Sequence, residues 1–187
     1  GYNTEIGEKK KLPVPKCWKD LTQPAFKGEV MLGNPNSSGT AYLMLASLVQ
    51  VMGEDEAFRY MVELNRNVAS YARSGIGPMT AVTRGEVYVG STVLHGVINE
   101  IVRGVPVLPV LPCEGVGYEV GSMAIVKGAR NLDAARKFYD WALTADAQRI
   151  GLDVKEFAIP TNRSVPLPPQ VPRLTDVKVI NYDFARY

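Results

Sequence analysis

Ser37, Ser38, Gly39 and Thr40 stand in succession between an apolar run, Val30-Met31-Leu32, and a helical run that begins near Ala41. Three hydroxyls and one glycine at the mouth of a helix make an anion cradle. The first N–H groups of a helix lack partners within it, and the helix dipole places partial positive charge there. A phosphate or carboxylate satisfies both. Gly39 lets a ligand approach the backbone, and the hydroxyls donate or accept as the ligand requires. The same residues also make an ordinary N-cap, and this stretch alone leaves both readings open. A second turn, Arg73-Ser74-Gly75-Ile76-Gly77-Pro78, precedes another short helical stretch, with Pro78 suited to its first turn. Ser74 and Gly75 can therefore converge with the first turn.

Little else in the chain suggests chemistry. The single histidine, His95, has no Ser and Asp partners in a triad pattern. No phosphate-binding lysine loop or paired-carboxylate motif stands out, so no catalytic residue and no cofactor is expected. One histidine and two distant cysteines, Cys17 and Cys113, do not make a zinc cluster, and no metal site is expected. The cysteines remain open between a disulfide and two free thiols. Net charge is +2 with both signs spread along the sequence, which gives no nucleic-acid-binding face. Lys9-Lys10-Lys11 reads as a solvated segment. No apolar run reaches the ~20 residues of a membrane-spanning helix, so a soluble chain is expected. Residue 1 is a glycine with no leader, and a processed or cut start is expected.

The elements that would position these residues follow from periodicity. Gly1 to Pro15 is polar and proline-punctuated, and reads as a connector. Trp18, Leu21, Pro24 and Phe26 anchor a short turn before a strand, Gly28 to Gly33. A helix to Gly53 follows, then another from Asp55 to Leu64, each with apolar residues on a helical period. After Asn65 to Tyr71 comes the second serine–glycine turn, then a short helix from Met79 to Arg84. Val87 to Ser91 reads as a strand, Val93 to Val102 as its helix, and Val105 to Pro112 as an edge strand because of its prolines. This alternation predicts an α/β fold, a parallel sheet covered by helices. Cys113 to Gly121 is glycine-rich and polar, and it suits an interdomain crossing before a strand, Ser122 to Val126. Asn131 then caps an amphipathic helix bearing Leu132, Ala135, Phe138, Tyr139 and Ala142, and Thr144 starts another. Ile159 to Pro172 reads as loop, and Val177 to Ile180 as an extended or short helical piece, with Tyr182, Phe184 and Tyr187 as packing anchors.

Several pieces occur in an order that resembles a known family: Trp18-Lys19-Asp20-Leu21 with Pro24 and Phe26-Lys27-Gly28, Pro35 through Ser38-Gly39-Thr40, Arg84-Gly85-Glu86, Lys127-Gly128-Ala129-Arg130-Asn131, Ala135-Arg136-Lys137-Phe138 and Ala147-Gln148. They resemble the type 2 periplasmic solute-binding proteins of ABC transporters, in the ferric-iron-binding-like branch. The resemblance implies a fold of two α/β lobes, one nearly complete here and the other partial, in a chain matching the family's C-terminal part. Residues 1–116 would form the second lobe, 117–170 the crossing strand and helices of the first, and 171–187 a tail packing back on the second. Iron-binding members place paired tyrosines where this chain has Ser91-Thr92-Val93-Leu94-His95-Gly96, so a tyrosinate site is not expected. His95 and the crossing are closer in pattern to hexose-phosphate-binding members. That resemblance implies a ligand set of Ser37, Ser38, Gly39, Thr40, Ser74, Gly75, His95 and Glu119. One departure is Gly96, where those members tend to carry an acidic residue, which keeps a phosphonate open as the solute. The implied protein is a periplasmic monomer, not an enzyme, that passes a small anionic solute to an inner-membrane permease. Ferric iron is the alternative cargo.

Overall fold

A computed structural model describes residues 1–186; Tyr187 lies outside the described residues. Five strands form one sheet in the order β3-β2-β4-β1-β5. They are β1 (Tyr2–Asn3), β2 (Val30–Gly33), β3 (Val68–Ala72), β4 (Val89–Gly90) and β5 (Val107–Leu108). β3, β2 and β4 run parallel, while β1 pairs antiparallel with both β4 and β5. The expected parallel α/β sheet is thus present with one reversed strand.

That strand corrects the reading of Gly1 to Pro15 as a connector. Tyr2 lies in the core, stacked edge-on against Tyr88 at 5.6 Å between ring centres. Helix α1 (Thr4–Lys10) follows at once, with the Asn3 side chain capping it by accepting from the Ile6 N–H at 3.1 Å. The lysines that made this segment look solvated sit at its end, where cations suit the negative pole of the helix dipole. Lys10 pairs there with Glu29.

Helices α2 (Gly39–Met52) and α3 (Glu54–Asn65) cover one face of the sheet, burying Leu48, Val49, Ala57, Tyr60 and Leu64 with Phe26, Val30 and Leu32. Helices α4 (Gly77–Thr83) and α5 (Leu94–Val102) cover the other, where Met79, Val82, Val97 and Val107 pack together. Two 3-10 turns, Trp18–Thr22 and Pro24–Phe26, lead into β2.

Beyond residue 116 the chain makes few hydrogen-bonded elements. Val116 bridges Val179 of the tail, and Tyr182 is buried while Phe184 stays exposed against Tyr118. Ser122 to Val126, expected as a strand, forms no strand in the structure. Helices α6 (Leu132–Ala142) and α7 (Ala145–Asp153) bury no residue, and Phe138 is 61% exposed and Trp141 48%. The Asn131 side chain makes no capping bond, whereas Thr144 accepts from the Ala147 N–H at 3.3 Å. Residues 152–171 dock on α5 instead, through Phe157 and Val171 against Ile98.

Candidate functional site

The three neighbouring parallel strands all end on one side of the sheet, and each feeds a turn that opens a helix. β2 leads through Asn34 to Ser38 into α2, β3 through Arg73 to Ile76 into α4, and β4 through Ser91 to Val93 into α5. Ligands of open α/β sheets bind in this crevice, outside the carboxyl ends of adjacent strands. Hydrogen bonds knit the turns together. The Asn34 N–H donates to Ala72 O at 2.8 Å, the Ser37 hydroxyl to Arg73 O at 2.9 Å, and the Ser91 N–H to Met31 O at 3.1 Å.

Ser38 is the N-cap of α2, buried, with its Oγ accepting from the Ala41 N–H at 3.3 Å. The cap and the cradle therefore coexist, since a hydroxyl that accepts there can still donate elsewhere. Gly39 and Thr40, the first residues of α2, have N–H groups with no partner within the helix. A side chain at Gly39 would meet nothing within 4 Å, so the approach to those N–H groups is open.

Ser74 and Gly75 come to the same place. The Gly77 N–H donates to the Ser74 hydroxyl at 3.1 Å, and a Cβ at Gly75 would lie 2.5 Å from Thr40 Oγ1. Only a glycine permits that approach. Sequence reasoning missed Thr92, whose hydroxyl donates to Gly75 O at 3.0 Å and ties the third turn to the second. Its signal was its position directly after a strand and before a helix, where a hydroxyl serves turn and cap alike.

His95 sits in the first turn of α5, three residues past Thr92. Its Nε2 lies 3.6 Å from Glu156 Oε1, a partner the sequence did not suggest. Glu119 is exposed and makes no hydrogen bond among the described residues. Its neighbour Gly117 lies against Ser47, in the third turn of α2 and well along the helix from Thr40. Ser37, Ser38, Gly39, Thr40, Ser74 and Gly75 are thus gathered in one cluster, with His95 at its α5 side.

The tyrosines bear on metal chemistry. Burial pushes the Tyr88 hydroxyl up to about 12, with Tyr2 contributing, and it donates to Pro13 O at 3.3 Å. Burial also raises Tyr60, with Glu114 and Asp20 adding to the effect, and its hydroxyl donates to Trp18 O at 2.7 Å. Both are held protonated within the core. Cys17 and Cys113, left open by the sequence, are bonded to each other.

The family model for bacterial extracellular solute-binding proteins matches residues 1–187. An uncharacterized protein of Haemophilus influenzae is 45% identical across 100% of this chain and 55% of its own length. The periplasmic binding protein AfuA from Actinobacillus pleuropneumoniae, solved with fructose-6-phosphate bound, is 43% identical with a TM-score of 0.91, over 98% of this chain and 58% of that one. The periplasmic binding protein P5PA is 36% identical with a TM-score of 0.90, over 99% and 59%. The chain therefore spans little more than half the length of these proteins. A ferric binding protein from Campylobacter jejuni, at 22% identity and a TM-score of 0.65, shares the fold alone.

Proposed function

Because the chain belongs to the bacterial extracellular solute-binding proteins, we propose that it supplies much of the non-catalytic binding component of an ABC importer, capturing a small phosphorylated solute in the periplasm for a permease in the inner membrane. The observation that carries this reading is the convergence of the Ser37–Thr40 turn with Ser74-Gly75 where the first N–H groups of α2 lie open. Backbone N–H groups, hydroxyls and the positive end of a 14-residue helix suit phosphate oxygens and ask for no resident metal. A hexose phosphate is the favoured class, supported by the likeness to a fructose-6-phosphate-bound protein. An organophosphonate presents the same oxygen face. His95 donates to a hydroxyl or phosphate, and Glu119 accepts from hydroxyls once a second lobe closes over the solute.

Residues 1–116 make the second lobe in this reading, 117–170 part of the first, and 171–187 a tail on the second. The bare apolar face of α6, with Phe138 and Trp141, is then the packing surface for the rest of the first lobe. Exposed aromatic area of this kind calls for a partner. The complete protein works as a monomer.

Ferric capture is the competing reading. Fe(III) favours hard anionic donors such as phenolate, and the stretch Ser91-Thr92-Val93-Leu94-His95-Gly96 offers no tyrosine pair.

Thr40→Val tests the cradle, because it removes the hydroxyl and keeps the shape. Affinity for a phosphorylated solute falls by about 10–100-fold, the net worth of one hydrogen bond to a charged group, while any binding of the neutral sugar is unaffected. Equal loss for both, measured by calorimetry, assigns the turn a structural role only.

A further inference from the structure

We propose that Glu156 is the positioning residue for His95 and the group that makes the site select solutes carrying a single phosphate. This rests on the phosphorylated-solute reading above. Glu156 arrives from beyond α7, far from α5 in sequence, yet its carboxylate is held against that helix at two points. Oε2 accepts from Asn99 Nδ2 at 2.9 Å, and Oε1 lies 3.6 Å from His95 Nε2. His95 and Asn99 are four residues apart, and so share one face of the helix.

Asn99 is fixed at its other end, where Oδ1 accepts from the Phe157 N–H at 3.0 Å. The Phe157 ring is buried with Ile98 and Val171. The carboxylate thus hangs from a backbone anchored by an aromatic plug and an amide bonded at both ends. The ion pair is not needed for that anchoring. With side-chain exposures of 35% for His95 and 49% for Glu156 it contributes little to stability.

Its position has consequences for a ligand. The carboxylate stands against the Nε2 edge of the ring and limits where that ring can turn. His95 follows Thr92 by three residues, and Thr92 closes the turn cluster just before α5 begins. A solute with its phosphate at the α2 end of the cluster lays its other end toward α5, where Glu156 accepts from hydroxyls. A second phosphate in that place meets a fixed negative charge, and like charges brought together at a binding surface exclude the wrong partner.

Glu156→Gln keeps the shape and the Asn99 hydrogen bond while removing the charge. Calorimetry with a hexose monophosphate and a hexose bisphosphate on the natural protein, Glu156→Gln and His95→Ala separates the possibilities. Ring signals of His95 in 1H–15N spectra are identified by their loss in His95→Ala. In Glu156→Gln the preference for monophosphate narrows by about tenfold or more and the His95 ring signals shift. The ligand-free Tm stays within about 2 °C, as expected for an exposed pair. An unchanged preference in Glu156→Gln, with His95→Ala still weakening binding, overturns the role of Glu156 and leaves the binding function standing, whatever happens to Tm. Parent-like binding by His95→Ala removes His95 from the site and the proposal with it. Failure of the natural protein to bind either ester sinks the functional reading itself.

Discussion

Replacing Cys17 and Cys113 together by serine lowers stability by about 2–5 kcal/mol and Tm by about 5–15 °C for a domain of this size. The bridge joins residues 96 positions apart, so it removes much conformational freedom from the unfolded chain. It also closes a local network. The Cys113 N–H donates to Lys16 O at 3.0 Å, the Glu114 carboxylate accepts from the N–H groups of Trp18 and Lys19 at 2.8 and 3.1 Å, and the Trp18 ring N–H reaches Gly115 O at 3.3 Å. Together these fix where the glycine-rich crossing leaves the sheet. Thermal unfolding in oxidising and reducing buffer measures the effect, with the double variant insensitive to reductant. An unaltered Tm in both tests shows that the hydrogen bonds suffice without the bridge.

Gly75→Ala is expected to cost at least tenfold in solute affinity and about 1–3 kcal/mol in stability, as overpacking does in a closed site. Its Cβ would lie 2.5 Å from Oγ1 and 2.6 Å from Cβ of Thr40. Threonine is stiff about its first side-chain torsion, so the side chain cannot swing clear and the two turns must part. Thr92, whose hydroxyl holds the Gly75 carbonyl, moves with them. The result separates this position from an ordinary surface glycine. Gly39, where an added Cβ would have no neighbour within 4 Å, tolerates alanine in stability while still crowding the ligand. Unchanged affinity in Gly75→Ala removes the second turn from the site.

The sequence carried the helices that cover the sheet because α2 is a long apolar run between a capping serine and Gly53, and α3 presents apolar residues on a helical period. It carried the first cradle turn for a related reason, since a strand, a run of hydroxyls and a helix follow one another without interruption. Strand β1 was not legible because two residues leave no period to read and the lysines of α1 dominate their surroundings. Strand β3 was missed because it lies at the sheet edge, with its three middle residues exposed and no alternating apolar pattern.

Partnerships across the fold escaped sequence reading for a different cause. The pairing of Cys17 with Cys113 depends on backbone positions that spacing does not reveal. The approach of Glu156 to His95 depends on Phe157 finding its place against α5. Glu119, which the family resemblance assigns to sugar hydroxyls, is exposed and has no hydrogen-bond partner among the described residues.

The central claim is that the Ser37–Thr40 turn and its neighbours hold the phosphate of a small organic solute. Calorimetric titration of the natural protein with fructose 6-phosphate, aminoethylphosphonate, fructose, inorganic phosphate and ferric citrate tests it most directly. The account predicts saturable binding of a phosphorylated or phosphonate solute at micromolar concentration or below, about 8 kcal/mol or more, with no measurable binding of fructose. Binding of ferric iron alone, with a visible charge-transfer band, contradicts it.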